Sequence, residues 1–153
     1  MLTGLQKYAG GRVRRRASSP KLLVLNTALM TAASGHSLEA ARMDHNFWGR
    51  LVETAVGAHL VNGLAGTGAE VHYWREHGRE VDYIVCRGRE VVALEVTSGR
   101  RKDSLPGLQA FTEAFGSHRC LLIGGQGIPL EEFLLTPASN WLSSTGCGSP
   151  PQL

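Results

Sequence analysis

Two short runs of this chain set carboxylates inside strand-like sequence: Glu80-Val81-Asp82-Tyr83-Ile84-Val85 and Val91-Val92-Ala93-Leu94-Glu95-Val96-Thr97. Strand interiors are ordinarily poor in Asp and Glu. Only Cys86 and the turn Arg87-Gly88-Arg89-Glu90 separate the runs, which is a hairpin signal and fixes a register. If Cys86 faces Val91, then Ile84 faces Ala93, Asp82 faces Glu95 and Glu80 faces Thr97. Two carboxylates opposed across a ladder repel. Such a pair persists when a cation lies between them or when one acid keeps its proton. A hard divalent cation such as Mg²⁺ takes oxygen ligands, retains waters, and can activate a water beside a phosphodiester. Asp82 and Glu95 are therefore candidate metal ligands and candidate catalytic acids, with Thr97 on the same strand face as Glu95.

The third acid comes from the preceding helix. Phe47, Trp48, Leu51, Val52, Ala55, Val56 and Leu60 recur at three and four, which predicts a helix over about 46–64. Glu53 follows Val52 by ~100° on the helical wheel, at the border of the apolar stripe, so it can look across the edge of the core. It completes a candidate metal set of Glu53, Asp82 and Glu95. The alternative neutralisers are arginines: Arg75, Arg79 or Arg100 could pair with the acids in place of a metal.

The elements that must position these acids read as follows. A short strand begins near Pro20, and Asn26 caps a helix reaching about Ala33. After the long helix, which Gly63, Gly66 and Gly68 end, come strands at about 70–75, 80–86 and 91–97. Leu105, Leu108, Phe111, Thr112 and Phe115 return to helical spacing. Cys120-Leu121-Leu122-Ile123 reads as a strand buried on both faces. Residues 130–142 are a last apolar segment, and the Ser/Gly/Pro-rich 143–153 is expected to be disordered. The result is an α/β sandwich with a mixed sheet and an α-β-β-β-α-β core, preceded by a strand-helix segment. The division expected is a basic segment over 1–35, the main domain over 36–142 and the tail.

With 153 residues, 42% hydrophobic and 19% charged, the chain suits one globular domain with a real core. No apolar run approaches the ~20 residues that span a bilayer. Cys86, Cys120 and Cys147 have no metal or redox spacing, and reduced thiols point to a cytoplasmic location. The net charge of +3 is uneven. Lys7, Arg12, Arg14, Arg15, Arg16 and Lys21 precede any acid, and the remainder is net negative. Arg12, Arg14, Arg15 and Arg16, with Arg100, Arg101 and Lys102, are the candidate nucleic-acid contacts; a solvated loop is the plainer reading. His59 lies in the apolar stripe and reads as a core histidine. Tyr73 and Trp74 read as packing residues.

A strand Asp, a Glu-X-Lys on the next strand and a Glu on the preceding helix resemble the PD-(D/E)XK nuclease-like superfamily. That resemblance implies a restriction-endonuclease-like sandwich in which the acids hold Mg²⁺ and the lysine positions the attacking water. Asp82, Glu95 and Glu53 match the acids, while Thr97 stands at the lysine position. Lys102 is the candidate for a migrated lysine. A second resemblance spans about residues 2–142. Gly4-Leu5-Gln6-Lys7-Tyr8, Ser18-Ser19-Pro20-Lys21, Gly49-Arg50-Leu51-Val52-Glu53, Tyr73-Trp74-Arg75, Glu80-Val81-Asp82 and Leu94-Glu95-Val96 are similar to the domain-of-unknown-function family 4143. This resemblance implies the C-terminal part of a prokaryotic AAA-type ATPase, following a nucleotide-binding domain and a winged-helix-like region whose remnant is residues 1–35. It implies an ATPase domain as partner, in cis or as a separate chain, and a truncated or split origin. No GxxxxGK[ST] occurs, so this chain is not expected to bind ATP. The expectation is a nuclease-like accessory domain without catalysis. The alternatives are an Mg²⁺-dependent nuclease and a nucleic-acid-binding module.

Overall fold

Alternating residues of the central strands feed two separate cores, one on each face of a six-stranded sheet. The structure is a computed structural model and describes residues 1–10, 18–99, 105–116 and 119–142. The strands are β1 (Leu2–Lys7), β2 (Lys21–Val24), β3 (Glu70–Glu76), β4 (Arg79–Arg87), β5 (Glu90–Val96) and β6 (Arg119–Ile123). Their order across the sheet is β2-β1-β3-β4-β5-β6. β1 pairs antiparallel with β2 and parallel with β3, and β5 pairs parallel with β6. The sheet is thus mixed, as the sequence predicts.

One face carries α3 (His45–Gly63), with α5 (Leu130–Leu135) and a 3-10 turn at Ala138–Trp141. Val52, Val56 and Leu60 of α3 pack there on Tyr83, Val85, Val92 and Leu94. The other face carries α4 (Pro106–Phe115), whose Leu108 and Phe111 cover Trp74, Val81, Ile84 and Ala93. Neighbouring Tyr73 and Trp74 therefore point to opposite cores, as β alternation requires. The layers are α/β/α, an α/β sandwich.

Local chemistry sets the helix starts. Asn26 Oδ1 accepts the Ala28 N–H at 3.0 Å and opens α1 (Thr27–Ser34), as predicted. Ser37 caps α2 (Leu38–Met43), a helix too short for its periodicity to show in the sequence. Asp44 Oδ1 accepts from the N–H groups of Asn46 and Phe47, so α3 begins at His45. The N-terminal segment is more than an appendage. β1 and β2 extend the main sheet, and Leu5 and Leu23 are buried in the α3-side core. Among the described residues no helix is long and apolar enough to cross a membrane.

Candidate functional site

The β4–β5 hairpin turns through Gly88 and Arg89, with Gly88 at φ +60°, the positive φ that a two-residue hairpin turn needs at its first position. From there the register is the one read from the sequence. Arg87 faces Glu90, Cys86 faces Val91, Ile84 faces Ala93 and Tyr83 faces Leu94. The ladder stops there, one pair short of Asp82 and Glu95.

The cause lies on the other edge of β4. His72 faces Ile84, but Trp74 faces Val81, so the register slips by one. Asp82 and Tyr83 together oppose Tyr73, which is a β-bulge. Val81 and Ile84 both enter the α4-side core, and Tyr83 enters the α3-side core. The bulge turns the Asp82 carboxylate into the plane of the ladder. There its Oδ2 accepts the Val96 N–H at 2.8 Å. A side chain thus takes a β5 amide that backbone would otherwise hold.

Tyr83 fixes the distance between sheet and helix. Its hydroxyl donates to the Glu53 carbonyl at 2.8 Å. Gly57, one turn along α3, makes room: a Cβ there would collide with the Tyr83 hydroxyl. This close approach brings the Glu53 side chain over the end of β4.

Among the described residues, a cation reaches this cluster from β2. Lys21 Nζ lies 2.7 Å from Glu53 Oε1 and 3.3 Å from Glu80 Oε1. It also sits 5.4 Å from the centroid of the Tyr83 ring. Arg75 donates through Nε to the other Glu80 oxygen at 2.9 Å. Glu80 therefore bridges a lysine and an arginine. Arg75, one of the arginines considered for Asp82 and Glu95, pairs with Glu80. Arg79 is exposed and faces Glu76 in the ladder.

These contacts set the protonation states. Burial raises the Asp82 pKa first, and the Glu53 and Glu95 carboxylates raise it further, to about 7. The Val96 N–H and the Lys21 ammonium oppose this only in part. Burial disfavours charge on Lys21, but Glu53, Asp82 and Glu80 outweigh it and hold the ammonium protonated above its usual range. Glu80 is shifted below the usual carboxylate range, because Arg75 and Lys21 overcome its burial. Of the two ways to tolerate crowded acids, a cation between them or a retained proton, this cluster uses both.

The remaining candidates separate. Glu95 is buried and close enough to Asp82 to act on its proton. Thr97 is buried, its N–H donates to the Ile123 carbonyl at 2.9 Å, and Gly124 and Gly125 press against its backbone and methyl group. Lys102, Arg100, Arg101, Arg12, Arg14, Arg15, Arg16 and the tail from 143 lie outside the described residues. Among the described residues, no group of three or more His, Cys, Asp or Glu is arranged to hold a metal ion. Glu53 is engaged by an ammonium and Asp82 by a backbone N–H, so this donor set does not fit a divalent cation as arranged. His59 is a packing residue, donating from Nε2 to the Thr136 carbonyl at 2.9 Å with its ring edge-on to Phe133.

Lys21 is the site residue that sequence reasoning misses. A signal for it exists: Lys21 and Leu23 are two apart in β2, and Leu23 is core, so Lys21 must point the same way.

No curated protein and no solved structure matches the chain significantly. Over residues 48–140, more than half its length, the sequence matches the family described as Domain of unknown function (DUF4143), a match that runs from within α3 into the 3-10 turn. The chain belongs to that family.

Proposed function

We propose that this protein is a nuclease-like accessory domain of an AAA-type ATPase, working as a regulatory or interaction module and not as a catalyst. The observation that carries this reading is the cation that meets Glu53 among the described residues. It is Lys21, from an edge strand, and it is spent on Glu53 and Glu80. A catalytic lysine of this site class would follow Glu95 and Val96 on β5; there the chain has Thr97, whose hydroxyl carries no charge. The order helix, three-strand meander, helix, strand, with acids at Glu53, Asp82 and Glu95, supports PD-(D/E)XK nuclease-like ancestry. The partner in this reading is the ATPase domain, in cis or as a separate chain.

The test is direct. Purified protein is incubated with single- and double-stranded DNA and RNA in Mg²⁺, in Mn²⁺ and in chelator. The expected result is no cleavage above the chelator control. Metal-dependent cleavage abolished by Asp82→Asn would replace this reading with an active nuclease. Binding without cleavage that weakens steeply with salt would make it a nucleic-acid-binding module.

A further inference from the structure

The sheet ends at β2 on one side, and among the described residues no strand pairs with its outer edge. The Leu25 N–H donates to the Met1 carbonyl at 3.1 Å, which sets the alternation along the β1–β2 ladder. Leu23 with Thr3 and Lys21 with Leu5 are then the hydrogen-bonded pairs, and the N–H and C=O groups of Leu22 and Val24 point away from β1. Side chains alternate in step. Leu23 enters the α3-side core, so Leu22 and Val24 lie on the opposite face, beside Leu2 of β1. On that face α4 covers Trp74, Val81, Ile84 and Ala93, while Leu2 and Leu22 stay 65% and 72% exposed. Sheet edges are ordinarily blunted by charge or proline. Here Pro20 stops short of the strand, and the Lys21 ammonium is turned inward to Glu53 and Glu80.

We propose that β2 pairs antiparallel with β2 of a second copy of this chain, joining two six-stranded sheets into one about a two-fold axis at Leu23. The edge complements itself in that register. Leu22 faces the second copy's Val24, Leu23 faces Leu23, and Val24 faces Leu22. Both outward pairs then exchange N–H···O=C bonds in each direction. Each pair sets apolar against apolar, and no like charges oppose each other. On the open face these Leu22 and Val24 side chains join Leu2 of both copies in one strip, which takes its apolar surface out of water. Pro20, which has no N–H to give, falls opposite Asn26, outside the paired residues. A foreign strand can match this backbone edge, but a second copy matches the backbone and the side chains together. The pairing leaves Glu53, Asp82 and Glu95 untouched, so it and the accessory-domain reading can each fail alone.

The experiment measures the mass of the full chain by sedimentation from micromolar to millimolar concentration, with amide hydrogen exchange read residue by residue. Wild type is expected to pass from monomer to dimer. In the dimer the Leu22 and Val24 amides should exchange at least about tenfold more slowly than in the monomer, while the Leu23 amide, held by β1, is protected in both. Leu22→Lys places an ammonium in the strip at an exposed position. It should keep its β4–β5 protection and stay monomeric throughout. Leu38→Lys, at an exposed position on α2, should dimerise as wild type does. A wild type that is monomeric at every concentration overturns the proposal. So does a dimer that persists in Leu22→Lys, that is lost in Leu38→Lys, or whose Leu22 and Val24 amides exchange as fast as in the monomer. If Leu22→Lys does not fold, Leu22→Thr decides. Dimerisation weakened by about tenfold or more in that variant supports the proposal, and unchanged dimerisation overturns it.

Discussion

Below about pH 7 the folded chain keeps a proton on Asp82 that the unfolded chain releases near pH 4. A folded-state pKa raised above the unfolded one makes the native state the better proton binder between those values. Stability from this group is then fully present below about pH 4 and is lost as pH rises through about 7. Asp82→Asn keeps an acceptor for the Val96 N–H and removes the titration. Its stability relative to wild type should therefore rise by about 2–4 kcal/mol between pH 4 and pH 8. Urea denaturation of both proteins at the two pH values checks this, and parallel curves would show that Asp82 titrates normally. Glu80 acts in the opposite sense. Its depressed pKa contributes stability that is lost in acid, so Glu80→Gln should lower stability at pH 7 and converge with wild type in acid. The same urea series run down to pH 3 reads it out. At this scale the sequence displays the acids clearly, because carboxylates in β-branched runs stand out. It conceals the cation. Lys21 meets Glu53 and Glu80 only after residues from β2, α3 and β4 are brought together, and no local pattern encodes that meeting.

Among the elements, α3 and α4 hold their faces of the sheet at close range through glycines. Gly57 lets the Tyr83 hydroxyl reach the Glu53 carbonyl. Gly107 sits against the Glu80 backbone, where a Cβ would lie within contact of the carbonyl oxygen. Gly57→Ala should push α3 away from β4 and cost about 1–3 kcal/mol. Gly107→Ala meets backbone, which yields less than a side chain, and should cost more than Gly57→Ala. Thermal denaturation ranks the two, and equal costs would contradict the geometry. Phe111, fully buried between Trp74 and Phe115, should cost about 3–5 kcal/mol as Phe111→Ala by the same measurement. The elements legible in the sequence were those with their own periodicity: α3 by its three-and-four spacing, and the β4–β5 hairpin by its turn and alternation. β1 was not legible, since Leu2–Lys7 mixes small and polar residues and its place is given by a parallel partner, β3. The bulge at Asp82 was not legible either. It is a mismatch between β3 and β4, and neither strand's sequence holds it alone. Strict alternation therefore put Asp82 in a ladder pair with Glu95, where the structure has it accepting from the Val96 N–H instead.

For the whole molecule, the family match starts at residue 48 while the sheet starts at Leu2. The acids Glu53, Asp82 and Glu95 fall inside the match, and the lysine that answers two of the neighbouring carboxylates falls outside it. The unit that makes sense of the charge is thus larger than the unit that defines the family. Among the described residues, six of the seven large apolar side chains left exposed also lie ahead of residue 48, at Met1 and on β1, β2, α1 and α2. The sheet order has a further consequence, in time. β1 is synthesised well before its parallel partner: it sits beside β3 and can pair with it only when residues 72 and 73 exist. Loop closure over so long a span is slow relative to forming the β3–β4–β5 meander, whose partners are neighbours in sequence. The β1–β2 hairpin is then a late arrival in the fold. A nascent chain would hold this hairpin unclaimed until β3 emerges, and the ammonium of Lys21 would reach Glu53 and Glu80 as one of the last events of assembly.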